Sequence, residues 1–148
     1  MSSHRVHFFH LIWSTKDRKI WLLPKIQKQL YPYIGGIIKK TGQLLEIGGM
    51  GDHVHLLIEM SNLDNFTSTI RNVKTGSSFW LKNEFPECRE FAWQSGYASF
   101  SVSYSQLDSV RAYIQNQEKH HKKRSYEEEY LKLLHLHQAE FNEQYIYG

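Results

Sequence analysis

Gly51-Asp52-His53-Val54-His55-Leu56-Leu57-Ile58-Glu59-Met60 is the stretch whose reading decides the fold. As a β-strand it sends successive side chains to opposite faces. Val54, Leu56, Ile58 and Met60 then form one wholly apolar row, and His53, His55, Leu57 and Glu59 form the other. The apolar row requires a core to bury it. The second row sets two imidazoles side by side on an accessible surface. Two such nitrogens reach one metal ion, imidazole being the commonest metal-ligating side chain. Two surface histidines on an amphipathic strand are the plainer alternative. Asp52 reads as a turn residue behind the histidines, and Glu59 as a surface residue.

Upstream, Leu44, Leu45 and Ile47 predict a strand, and Gly48-Gly49-Met50-Gly51-Asp52 a turn, so the two strands make a hairpin. Before them, Pro24 opens a helix carrying Ile26, Leu30, Tyr33, Ile34, Ile37 and Ile38, which Gly42 closes. The run from Arg5 to Trp13 is apolar on both faces, as in a central strand. His4, His7 and His10 recur every third residue, which matches neither period, and they read as structural or solvent-facing. Downstream, Asn62 or Asp64 caps a helix with Phe66, Ile70, Val73, Phe79, Trp80 and Leu81. Phe91–Trp93 and Gly96–Val102 read as strand material, and Ser105 starts a last long helix with Asp108 three residues on. The order predicts an α+β fold, β-α-β-β-α-β, ferredoxin-like or RRM-like. Its antiparallel sheet has helices on one face, leaves the other open, and is followed by a C-terminal helix.

At 148 residues the chain is expected to form one domain, 1–148, with 119–148 a basic then acidic C-terminal extension. A single cysteine, Cys88, excludes an internal disulfide framework and reads as incidental. No apolar run suggests a signal peptide or a membrane span, so a cytoplasmic protein is expected. The net charge of +3 is mild, and its distribution says more. Lys16 and Arg18 (with Lys19), Arg71 and Lys74, and the block Lys119, Lys122, Lys123, Arg124 are candidate phosphate contacts. His120 and His121 read as DNA-facing or solvated. Glu127-Glu128-Glu129 follow at once, and Leu131, Leu134, Phe141, Tyr145 and Tyr147 suggest a packed extension.

On the last helix Leu107, Val110 and Ile114 mark the buried stripe. Gln117 falls near its centre and Tyr113 at its edge, one turn apart. A boundary tyrosine above a partly buried glutamine is the plain reading of the pair, and a phosphodiester-cleaving site is the alternative that explains a phenol and an amide beside two imidazoles. There a hard divalent cation polarises the phosphate and the phenol attacks phosphorus. Gln117 then supplies a neutral third ligand beside His53 and His55.

His53-Val54-His55 matches the histidine–hydrophobic–histidine motif of the HUH nucleases. One tyrosine on a later helix with a glutamine four residues beyond resembles the IS200/IS605-type transposases. His10–Lys16, Gly51–Leu57, Phe91–Tyr97, Phe100–Ser103 and Tyr113–Glu118 look like that family in the same order, over essentially the whole chain. The resemblance implies a Y1 transposase that cleaves and rejoins single-stranded DNA. Tyr113 would form a 5′-phosphotyrosine bond and free a 3′-hydroxyl. His53, His55 and Gln117 would hold Mg2+ or Mn2+. It also implies an obligate homodimer, with sites that can pair one chain's histidines with the other's tyrosine, and recognition of hairpins at element ends. Three rivals remain: a domesticated repeat-associated nuclease of the family, a non-catalytic RRM-like single-strand binder, and a metal hydrolase. The binder rests on Gly96-Tyr97-Ala98-Ser99-Phe100, which partly echoes an RRM aromatic strand.

Overall fold

Four strands form one antiparallel sheet in the order β2-β3-β1-β4, in a computed structural model that describes residues 3–121 and 124–138. β1 is Phe8–Ser14, β2 Gln43–Met50, β3 His53–Glu59 and β4 Ala98–Val102. The helices α1 (Pro24–Ile38) and α2 (Phe66–Glu84) link them in the expected order. Leu11 and Trp13 of β1 and Val54, Leu56 and Ile58 of β3 join Ile26, Leu30, Ile34, Ile70 and Val73 in one buried cluster. Each such side chain contributes about 1.5–3 kcal/mol when withdrawn from water. That burial locks the register, because a slip of one residue would drive His53 and His55 into this core. Cys88 is part of the same cluster, and burial raises its thiol pKa, in keeping with an incidental cysteine.

The sheet's second face is not open. α3 (Leu107–Gln115), α4 (Gln117–His121) and α5 (Tyr126–Leu136) cover it. Ile114 packs with Phe8, Leu57 and Val102, while Tyr126, Tyr130, Leu133 and Leu134 pack with Ile12, Ala98 and Phe100. His53 and His55, expected on an accessible surface, are therefore 0% exposed.

Three further expectations are corrected. β2 runs through Gly48 and Gly49 to Met50, so the hairpin turn is only Gly51-Asp52. Gly48 serves close packing instead: a Cβ there would lie 2.6 Å from the Ile114 carbonyl oxygen, so only glycine lets α3 press onto β2. Phe91–Trp93 is a loop joined to the residue after β1 by one bridge, Thr15 to Trp93. The last helix is two pieces broken at Asn116 (φ −100°, ψ 25°), and it begins at Leu107 after a 3₁₀ turn with no cap from Ser105. Phe141, Tyr145 and Tyr147 lie outside the described residues. Among the described residues no helix is long and apolar enough to cross a membrane.

Candidate active site

β3 delivers His53 and His55 to the second face, β1 delivers His10 opposite them, and α3, α4 and α5 close over all three. His53 Nε2 lies 3.0 Å from Gln117 Oε1. His55 Nε2 lies 3.0 Å and His53 Nε2 3.4 Å from Glu129 Oε1. The potential ligand atoms of His53, His55 and Glu129 all fall within 4.8 Å of one another. The Tyr113 hydroxyl donates to Glu129 Oε2. One chain thus assembles its own tyrosine, glutamine and histidines.

The supports behind the histidines are as informative as the ligand atoms. Asp52 Oδ1 is 2.7 Å from His53 Nδ1, and His10 Nε2 is 2.8 Å from His55 Nδ1. With the Nδ1 side of each ring held in this way, each Nε2 faces Glu129, and a bound ion would take the place of the Nε2 protons that bond that carboxylate. Asp52, expected as a turn residue, orients the first histidine as well. His10 is buried and orients the second.

Charge in this pocket is set by burial and by these contacts. Burial alone would lower the His53 pKa, but its bonds to Asp52 and Glu129 outweigh that and raise it to about 9. Burial holds His55 below the ordinary imidazole value and, with His55 alongside, lowers His10 to about 3. For Glu129, burial favours the neutral acid, yet hydrogen bonds from His121, His53 and His55 prevail and keep it ionised. Burial, then the Glu129 charge, pushes the Tyr113 phenol above its usual range. The result is a neutral phenol against a carboxylate.

Two imidazole nitrogens, an amide oxygen and a carboxylate oxygen converge on one point. Nitrogen and oxygen donors of this kind suit a divalent cation such as magnesium or manganese. The residues present fit such an ion.

Glu129 and His121 were missed in the sequence reading. His121 Nε2 is 3.1 Å from Gln117 Oε1 and 3.2 Å from Glu129 Oε1, and the His120 ring lies 4.5 Å from that of Tyr113. Neither histidine is merely solvated. The helix breaks at Asn116, and α4 beyond it carries His121 onto the site. Glu129 did leave a signal. Tyr126, Tyr130, Leu133 and Leu134 form the buried stripe of α5, and a carboxylate at 129 falls within it. Ser125 caps this helix by accepting from the Glu128 backbone N–H at 3.2 Å.

The candidate phosphate contacts scatter. Lys16, Arg71 and Lys119 are exposed. Arg18 is ion-paired with Glu127. Lys74 Nζ donates to the carbonyls of Gln94 (2.7 Å) and Gly96 (2.8 Å), so it pins the 94–96 loop. Arg124 is half-buried beside the site, and Lys122 and Lys123 lie outside the described residues.

A family profile described as "Transposase IS200 like" matches residues 3–117. The chain belongs to the IS200-like transposase family. Two solved structures share the fold of this transposase. One is a provisionally assigned transposase from Deinococcus radiodurans R1, 24% identical, covering 79% of this chain and 98% of its own, with a TM-score of 0.61. The other is a REP-associated tyrosine transposase bound to a REP hairpin, 15% identical, covering 82% of this chain and 74% of its own, with a TM-score of 0.63. No curated protein matches significantly. The matched part ends at Gln117, so His121, Glu129 and all of α5 lie beyond it.

Proposed function

We propose that this transposase cleaves and rejoins single-stranded DNA through a covalent 5′-phosphotyrosine on Tyr113. The observation that carries the reading is the Tyr113 hydroxyl donating to Glu129, whose other oxygen lies against both motif histidines. His53, His55, Gln117 and Glu129 would hold Mg2+ or Mn2+. Such an ion, when bound, polarises the scissile phosphate and offsets the charge that develops on it.

The chain's own groups do the rest. A neutral phenol is a weak nucleophile, so its proton must leave as the bond to phosphorus forms. Glu129 accepts that proton. The phenolic oxygen bonds to phosphorus, the bond from phosphorus to the 3′-oxygen breaks, and that oxygen leaves with a proton as a 3′-hydroxyl. Strand joining is the reverse: a 3′-hydroxyl attacks the phosphotyrosine and Tyr113 recovers its proton. Bond energy is kept in the phosphotyrosine, so no ATP is consumed. Asp52 and His10 orient the imidazoles with Nε2 towards the site, and the cover of α3–α5 keeps bulk water from the phosphotyrosine.

We extend the reading to hairpin-bearing strands and to a homodimer, as the family resemblance implies. The solved neighbour with a REP hairpin supports the first. The same neighbour favours a second reading in which the same chemistry acts at dispersed repeats. Labelled single-stranded DNA incubated with the protein and Mg2+, then resolved on a denaturing gel, tests the core claim. The expected result is a protein–DNA adduct that disappears in Tyr113→Phe. Cleavage persisting in that variant without an adduct would overturn it in favour of water attack, and binding without metal-dependent cleavage in favour of a plain binder.

A further inference from the structure

Tyr113 and Glu129 form the floor of a cleft of about 650 Å³ between α3 and α5. Its wall on the α5 side carries two cations, Arg124 and Lys132. Neither is ion-paired with a carboxylate among the described residues, in contrast to Arg18. Arg124 is near enough to the phenol that its charge acts on Tyr113. At the rim the His137 ring stacks on Phe100 with centroids 4.2 Å apart and planes within 15°. The rest of the lining mixes apolar Val110 and Leu136 with polar Ser109.

We infer that this cleft receives the unpaired DNA strand that carries the scissile phosphate, and that Arg124 and Lys132 grip its phosphates. The inference rests on the proposed role of Tyr113 and adds what holds the substrate there. Two cations flanking a buried acceptor cluster complement a polyanion, and the apolar wall with the His137 ring suits the faces of bases. The cleft accommodates a few nucleotides of single strand but not a double helix. Both cations lie beyond residue 117, outside the part of the chain that the family profile matches. Arg offers a planar, bidentate fork for one phosphate, whereas Lys132 acts as a mobile point charge.

The test separates binding from chemistry. A fluorescent oligothymidylate, which has no hairpin, is titrated against the protein in chelator by anisotropy at several salt concentrations. Arg124→Ala combined with Lys132→Ala should weaken binding on the order of tenfold. It should also reduce the salt slope by about 0.7 for each lost phosphate contact. Adduct formation in Mg2+ should need more DNA for half-saturation. Arg124→Lys with Lys132→Arg should restore most of the salt slope, which a purely structural loss would not allow. Lys28→Ala, on exposed α1 surface, should change nothing. Wild-type adduct formation together with unchanged affinity and slope in the double alanine variant overturns the inference and leaves the proposed function standing. Absence of any adduct in wild type overturns the proposed function instead, while the binding data still decide the cleft.

Discussion

The two faces of β3 differ by a single residue step. Val54, Leu56 and Ile58 point into a hydrocarbon core under α1 and α2, and His53 and His55 point into a polar core under α3, α4 and α5. Both faces are equally buried, and only one of them stabilises the fold cheaply. On the apolar side, burial itself is favourable. On the polar side every buried nitrogen and oxygen must find a partner, since an unpaired one costs about 1–3 kcal/mol. The structure meets that demand with interlocked contacts: Asp52 to His53, His10 to His55, Tyr113 to Glu129, and Glu129 to three imidazoles. The second face gathers groups able to ligate a metal and to exchange a proton, with the first face as its rigid backing.

Neighbouring substitutions on the strand should break the protein in opposite ways. His55→Ala is expected to reduce adduct formation by about 10³-fold or more, the several kcal/mol that metal assistance supplies. Thermal stabilisation by added Mn2+ should be lost with it, as calorimetry would show. Leu56→Ala should instead cost about 2–5 kcal/mol of unfolding free energy in urea titrations while the folded fraction keeps its activity. Equal loss of metal response in both variants would erase the distinction between the faces.

Glu129→Gln sharpens it from the α5 side. The carboxylate becomes an amide of the same shape, and Mn2+ affinity measured by calorimetry should fall by at least about tenfold, with adduct formation falling further because the proton acceptor is gone. Unchanged metal affinity would show that α5 only roofs the site. Asp52→Asn should have a milder effect, about 10-fold on metal affinity, by releasing the His53 tautomer.

The smallest effect lies at the edge of the apolar face. Burial lowers the Lys74 pKa from 10.5 to about 8. Between those values the unfolded chain binds more protons than the folded one, so this group makes stability rise with pH from about 8 towards 10.5. Lys74→Met removes that rise, and denaturation midpoints across the alkaline range would display the difference. Because the ammonium is only half-buried, solvent screening keeps the effect slight.

Much of this was legible in the chain. Alternation in 53–60 predicted both rows of β3 and, with the helical periods on either side, the ferredoxin-like order that the sheet has. His53, His55, Tyr113 and Gln117 were singled out and do meet in space. The glycines at 48 and 49 misled, because glycine marks a tight turn and a close helix approach equally well. Glu129 was passed over within a run of acids, and His121 within a basic block read as DNA-facing or solvated, since neither run reveals its packing partner.

The sequence by itself determined the periodicities, and through them the strand order, the apolar core and the identity of the residues able to do chemistry. Those depend on local alternation and on burial free energy, which one dimension records. Only the tertiary structure decided that the second face is covered, that α5 seats Glu129 among three histidines, and that the approach to Tyr113 is a cationic cleft. Such facts arise where segments 64 and 74 residues apart come within hydrogen-bonding distance, and no local pattern encodes that meeting.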